Sequence, residues 1–586
     1  MKLSMLQELP TTRQMIDVFG GYNHNLRIGE GEFYDMKNLS SDDYPVLSPR
    51  RKRGSYATPE KPSGLLAKDA LCYVDGKNIV INDYPIDMGL LTDAAFCPKT
   101  LVSMGAYIII MPDKKYINTT DYSDRGAIEA TYANAGGKYV HFELCNKDGI
   151  AYEMAIAAPE YTLAVKDGVL WIDTSDTTPV LKQYSEVNAE WISIANTYIR
   201  IRFEQSSAIP FQVGDGIVIS GIDRVDELIA LNNKEMVIQA VGKNYIVVAG
   251  IVISGYTLSS DITITRKMPE MDFIIESENR LWGCRYGLDI QGNFVNEIYA
   301  SKLGDFKNWN VFDGISTDSY VASLGTDGQF TGATTHLGYP IFFKENCMHK
   351  VYGNFPANYQ IQTIHGRGVQ KGCDKSLAIV NEVLYYKSRS AICAYDGSLP
   401  VEISKALGDE VYSNAVAGSL GNKYYISMSD ESGGWHLFVY DTLRGLWHRE
   451  DETRVVDFCN CRGDLYFIDH ADNQIKTVRG TGVLETSQID WEATTGTIGT
   501  ASPDKKYISR LDIRMLLTVG TRVYIYIEYD SSGKWEHVFT MTGTKLQSFP
   551  VSIRPHRCDH MRLRIVGKGE AKIFSICKTI EQGSDI

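Results

Sequence analysis

A hairpin pattern recurs about every forty residues through the middle of the chain, and it constrains the fold more than any other feature. Each copy has an aromatic-rich strand, a polar turn and a second strand. Leu281-Trp282-Gly283 leads to Ile298-Tyr299-Ala300-Ser301, and Ile341-Phe342-Phe343 leads to Lys350-Val351-Tyr352-Gly353. Leu384-Tyr385-Tyr386 leads to Ala394-Tyr395-Asp396-Gly397, Tyr424-Tyr425-Ile426 to Phe438-Val439-Tyr440-Asp441, and Leu465-Tyr466-Phe467 to Ile475-Lys476-Thr477-Val478. With Trp282, Phe342, Tyr385, Tyr425 and Tyr466 taken as equivalent, the steps are 60, 43, 40 and 41 residues. A β period near forty is the signature of propeller blades, small sheets that must stack on neighbours to bury their faces.

Two earlier hairpins continue the series. Leu71-Cys72-Tyr73-Val74 turns into Ile79-Val80-Ile81, and Tyr107-Ile108-Ile109-Ile110 turns into Tyr116-Ile117, with 35 residues from Tyr73 to Ile108. The next equivalent, Trp282, comes 174 residues later. The gap predicts an insertion of roughly 130 residues in a propeller of about six to seven blades. Short strands at 191–194, 198–202, 216–219 and 244–248 give the insertion its own barrel or sandwich character. Beyond residue 485 the strictly alternating runs at 509–514, 523–529 and 561–565 predict a C-terminal β-sandwich. The expected organisation is an extended arm over 1–60, first blades over 61–120, an inserted β domain over 121–268, the remaining blades over 269–482 and the sandwich over 483–586. The fold class is all-β.

With 586 residues, 44% hydrophobic and 22% charged, the composition is that of a multi-domain globular protein. No apolar run approaches the roughly 20 residues of a membrane span. Met1-Lys2-Leu3-Ser4 opens no apolar stretch of signal-peptide type, so the expected site of synthesis and folding is a cytoplasm. The eleven cysteines are scattered, with Cys459-Asn460-Cys461 the one close pair and no Cys-x-x-Cys. That spacing favours buried small hydrophobes over a disulfide framework or a metal site. A net charge of −13 argues against a protein that wraps nucleic acid, which requires Lys and Arg at the phosphates. It does not exclude a surface past which DNA slides without sticking, since like charges repel.

The search for chemistry ends without a convincing active site, and no cofactor is expected. His556-Arg557-Cys558-Asp559-His560 would place His, Cys and His on one face of a strand, but no fourth ligand is near, and a polar edge strand explains it. His365-Gly366-Arg367-Gly368 lacks the strand–loop–helix setting of a phosphate cradle and reads as a connection between blades. Ser429–Trp435 and Asp530–Trp535 depart from the Ser-x-Asp-x-Gly-x-Thr-Trp turns of sialidase-like propellers. No Gly-x-Ser-x-Gly elbow or His-Glu-x-x-His occurs. The basic run Arg50-Arg51-Lys52-Arg53 is the candidate partner-contact segment, set against the plainer reading of a solvated loop.

One resemblance supplies a function. The arm Phe19-Gly20-Gly21-Tyr22-Asn23, with Asn38-Leu39 and Tyr44-Pro45-Val46-Leu47-Ser48-Pro49-Arg50, resembles the N-terminus of the tail nozzle, tail hub or packaged-DNA-stabilisation proteins of short-tailed bacteriophages. Ile298–Ser301 through Gly304-Asp305-Phe306-Lys307-Asn308-Trp309, and Ile341–Lys344 through Val351-Tyr352-Gly353, are similar to junctions in the same family. The resemblance implies a structural virion protein and no enzyme. It implies a homohexameric ring below portal and adaptor, assembled in the host cytoplasm, whose lumen passes double-stranded DNA. The alternative is a carbohydrate-binding or carbohydrate-active propeller, such as a receptor-binding tail protein.

Overall fold

The aromatic hairpins are internal strands of antiparallel sheets, five-stranded at Tyr466 and four-stranded at the others. Trp282 lies opposite Ala300, Phe342 opposite His349, Tyr385 opposite Ala394, Tyr425 opposite Val439 and Tyr466 opposite Thr477. Both faces of each sheet are covered, so these strands read as continuous apolar runs; Val383–Lys387 is buried from Leu384 onward. The computed structural model describes residues 11–92, 98–134, 137–152, 155–204, 208–222, 226–259, 261–289, 292–312, 314–500 and 504–582. Met1-Lys2-Leu3-Ser4 and Cys97 lie outside them.

The sheets span 62–87, 100–127, 273–323, 330–365, 378–402 and 412–449, each with its strands in sequence order. A further sheet is composite. Val455–Cys461, Asp464–Asp469 and Ile475–Thr477 are followed by Gly54–Ala57 from the far end of the chain, then by Val483–Leu484. The first strands of successive sheets pack in a ring, and Val455–Cys461 returns to touch Pro62–Ala67. This is a β-propeller within an all-β chain; the one α-helical element among the described residues is Asp226–Ile229. No helix among them is long and apolar enough to cross a membrane.

The 60-residue step in the repeat has a local cause. Residues 301–319 leave the 273–323 sheet as a long excursion between Phe294–Ala300 and Tyr320–Ser323. Buried Arg280 donates to the carbonyls of Ser301, Ser316 and Asp318, and Phe306 and Trp309 fill the space beside Met104 and Ile274.

Residues 130–266 form the insertion. Its main sheet has eight strands, with Ala130–Ala133 at one edge and Tyr256–Leu258 at the other. The link from Tyr256–Leu258 to Thr263–Arg266, beside the opposite edge, is four residues, which reach at most about 17 Å. The sheet therefore curls into an open barrel, around a core that includes Phe142, Ile201, Ile238 and Ile264. A separate four-stranded sheet covers 155–193. A bond from Arg266 Nε to Ile128 O (3.0 Å) and one from Gly216 N to Asn308 Oδ1 (2.7 Å) hold the barrel to the ring, and a buried Arg266–Asp215 ion pair lies within the barrel.

The C-terminal region is a pair of sheets, of four and six strands, with a shared core that includes Trp491, Ile513, Ile525 and Leu563. Arg522–Tyr529 alternates as its sequence demands, Val523, Ile525 and Ile527 inward and Tyr524 and Tyr526 outward. Trp491 donates its indole N–H to Gly569 O (2.9 Å) and lies so close to Gly567 that a Cβ there would come within 2.0 Å of the ring.

The segment expected to be an extended arm is corrected by this arrangement. Thr11–Ile16 pairs with the last strand, Ala571–Gln582, and Glu32–Lys37 pairs with Asp490–Thr495. Tyr22 packs on Phe438, with ring centroids 5.4 Å apart. From residue 11 onward the segment has a core to join within its own chain, and so needs no neighbour to order it.

Candidate functional site

The starts of the ring's inner strands converge on a cavity of about 390 Å³ at the propeller axis. Leu65, Leu101, Phe273 and Ala333 supply its apolar wall from four different sheets, and Asp374, Lys375 and Asp457 bring charge into it. Asp374 and Lys375 belong to the 3-10 turn Asp374–Ser376, which introduces the 378–402 sheet. Asp457 interrupts the otherwise apolar start of Val455–Cys461.

The two carboxyls have different surroundings. Burial pushes the Asp374 carboxyl above its ordinary value; Lys375 opposes the rise and the charge of Asp457 adds to it. Asp457 accepts from the backbone N–H of Leu65 at Oδ2 and of Phe458 at Oδ1, both at 3.1 Å. Lys375 Nζ lies 3.0 Å from Asp457 Oδ2. It is off the hydrogen-bond line, so the amine meets the carboxylate as a charge while its buried N–H groups lack an aligned acceptor. On the cavity's edge, Lys99 and Asp113 form a 2.6 Å ion pair that is almost wholly buried. This arrangement can donate a proton from one carboxyl, accept one at the other and hold a polar ligand between them.

A larger open cavity, about 900 Å³, lies between the 330–365, 378–402 and 412–449 sheets. The connection 366–377 joins the two spaces, because Gly366, Arg367 and Gln370 line the larger one and Asp374 and Lys375 the axial one. Arg367 pairs with Glu402 at 2.9 Å there. The His365–Gly368 motif is thus a connection between sheets.

None of the residues singled out from sequence lies at the axis. Arg50 pairs with Glu485 (3.1 Å), Arg51 with Asp42 (3.2 Å), and Arg53 with Glu450 (2.7 Å) and Asp451 (2.8 Å); Lys52 is half-buried. The run expected to reach a partner is engaged within its own chain, and that expectation is corrected for Arg53 above all. The His556, Cys558 and His560 side chains diverge, since the segment is not a regular strand. His556 stacks on Tyr529, the Cys558 thiol donates to Lys506 O, and His560 bonds Asp559 and Ser531.

Sequence reading missed the axial residues. Asp457 left one usable signal, a carboxylate inside the run Val455-Val456-Asp457-Phe458. Asp374 left none, because Asp457, the carboxylate it meets at the axis, is 83 residues away in sequence.

The sequence matches no family model and no curated protein. In structure the chain is similar to an exo-β-1,3-galactanase from Phanerochaete chrysosporium bound to galactose, at 11% identity and a TM-score of 0.21, over 52% of this chain and 94% of that one. It is similar to a glycoside hydrolase engineered for endo-xylanase and exo-arabinofuranosidase activity, at 10% identity and a TM-score of 0.20, over 53% and 97%. It is also similar to Trypanosoma rangeli sialidase in complex with sialic acid, at 10% identity and a TM-score of 0.22, over 92% and 96%. These scores assign no residue a role. None of the three is a phage tail protein, and two expectations, the DNA-channel ring and the absence of enzymatic activity, are set aside.

Proposed function

We propose that the chain is a carbohydrate-active propeller of seven blades that hydrolyses a glycosidic bond at its axis. The observation that carries this reading is the axial carboxyl pair, with Asp374 raised by burial beside an Asp457 that is paired with Lys375. Glycoside hydrolysis asks for such a division, one carboxyl holding its proton and the other free to act as base or nucleophile. Asp374 donates its proton to the leaving-group oxygen. Water adds its hydroxyl to the anomeric carbon, and Asp457 takes the proton that water gives up. Lys375 positions Asp457 and offers its unused N–H groups to sugar hydroxyls. The 900 Å³ cavity that the same 366–377 connection lines is a candidate site for further sugar units.

The test is hydrolysis of a panel of polysaccharides and aryl glycosides by the full chain, beside D374N and D457N. Loss of a positioned proton donor or acceptor should lower kcat by about 10²- to 10⁴-fold in each. D374N carries a second readout. A carboxyl raised in the folded state adds stability below its unfolded value and loses it as pH rises through the folded one. D374N should therefore be more stable than the parent at pH 7, and the gain should vanish in acid. Glycan binding without turnover would reduce the reading to a binding propeller. Neither binding nor turnover across the panel would end it.

A further inference from the structure

A second polar cavity, of about 490 Å³, lies away from the axis, where the segment 40–53 crosses the 412–449 sheet and the composite sheet. Six cations line it, Arg50, Arg51, Arg53, Lys423, Arg444 and Arg479, against three carboxylates, Asp42, Asp441 and Glu450. Two more acids behind the wall, Asp451 and Glu485, take part in the pairing and leave a surplus of one positive charge. The chain as a whole carries −13, so this concentration runs against its average.

The carboxylates are already committed. Asp441 is buried and accepts from Ser41 Oγ (2.7 Å), from Arg444 Nη1 (2.9 Å) and from the backbone N–H of Leu443. Asp42 is divided between Arg51 and Lys423. Glu450 is bound to Arg53. Two donor groups are left over. Arg53 Nε is a buried N–H with no acceptor among the described residues, on a side chain only 6% exposed. Arg479 donates from Nη1 to the Gly463 carbonyl and has no carboxylate partner among the described residues.

Arg479 is also held in place from behind. Buried Asp464 accepts the backbone N–H of Arg479 (2.8 Å) and the hydroxyl of Thr481 (2.7 Å), which fixes the chain that carries the guanidinium. Arg51, 67% exposed, also lines the cavity, with its Nε paired to Asp42. Guanidinium groups with unused donors in a partly enclosed cavity are suited to an oxyanion, which accepts several N–H bonds at once and offsets the charge surplus.

We propose that this cavity is a binding site for a compact oxyanion, a phosphate, sulfate or carboxylate group, held by Arg479 and Arg51 with the Arg53 Nε–H as a buried donor. It is separate from the axial site and independent of what happens there. The three ligand sources share one chemistry and separate by charge and shape.

The experiment is calorimetric titration of the full chain with inorganic phosphate, sulfate and glucuronate in turn, at ionic strength fixed with sodium chloride. Saturable binding of one equivalent of at least one of them is expected. R479Q and R51Q remove exposed guanidinium groups and should leave the fold intact by circular dichroism. R479Q should weaken binding about tenfold or more, as loss of one charge-assisted contact would. R51Q should weaken it less, and the double variant should abolish it. No saturable binding of any of the three would overturn the proposal. So would affinity in the R51Q/R479Q double variant equal to that of the parent.

Discussion

Arg51 and Arg53 sit two residues apart in one basic run, yet the first side chain is 67% exposed and the second 6%. The difference decides what each is worth. Arg51 faces Asp42 at the surface, where an ion pair contributes at most about 1 kcal/mol. Arg53 is enclosed with Glu450 and Asp451 and also lies 5.3 Å from the centre of the Phe467 ring. Burial alone would raise the Asp451 carboxyl; Arg53 outweighs it, with Thr453 helping, and holds the group down at about 2. A carboxyl depressed in this way contributes stability above its unfolded value near 3.8 and loses it as pH falls toward about 2. At pH 5–7 the full contribution is therefore present. Arg53→Met should cost about 3–5 kcal/mol there, because it strands two buried acids. Arg51→Ala should change stability by no more than about 0.5 kcal/mol. Urea unfolding of the two variants measures the contrast, and equal midpoints would contradict it.

Gly54–Ala57 is the element on which ring closure turns. It adds to Ile475–Thr477, the third strand of the composite sheet, and so joins the two ends of the propeller. Nothing local marks it as a strand, since four residues with a leading glycine carry no period. The hairpins were legible because an aromatic strand and its return strand are neighbours in sequence, as Trp282 and Ala300 are. The closing strand was not legible because its partner lies some 420 residues away. The same distance hid the pairing of Thr11–Ile16 with Ala571–Gln582 and the convergence of Asp374 and Asp457. Patterning specifies that a strand exists and which face it buries; the partner is set by tertiary packing. Gly54 itself is required by close approach, because a Cβ would lie 2.1 Å from Thr481 O and 2.7 Å from Thr477 Oγ1. Gly54→Ala should therefore destabilise the chain by about 1–3 kcal/mol, as other forced overpacking does. Faster cleavage by trypsin after Arg479, between Ile475–Thr477 and Val483–Leu484, should accompany it. An unchanged thermal midpoint would mean that this strand does not hold the ring closed.

Across the whole molecule, acid is the perturbation that the buried histidines make legible. His448 is buried where segment 40–53 meets the ring; burial lowers it to about 3, Lys423 adds to the fall, and Asp441 and Asp42 resist it. His349 is buried in the 330–365 sheet with Thr326 and Thr363 hydroxyls at its two nitrogens, both 3.0 Å away. Burial lowers it to about 4, with Lys344 and His365 acting in the same direction. In both the folded state binds its proton less readily than the unfolded chain, whose histidines titrate near 6.5. Stability is then full above pH 6.5 and declines as pH falls, until each folded value is reached. Two such groups give a slope of about 2.7 kcal/mol per pH unit between about pH 6 and pH 4. The depressed carboxyls act later, since Asp451 loses its contribution only below its ordinary value of 3.8. Asp374 acts with the opposite sign. Glu143 and Glu485, held against burial below 4.5 by arginine partners, begin to lose their contribution at the acid end of the window from about pH 6 to pH 4. Its upper part, from about pH 6 to pH 5, therefore belongs to the histidines. The parent should lose stability steeply across it in urea unfolding followed by near-ultraviolet circular dichroism. A variant carrying His349→Gln and His448→Gln should be less stable at pH 7 but lose little more by pH 4.5, so that the two curves converge. Parallel curves would show that the acid sensitivity of the ring arises elsewhere.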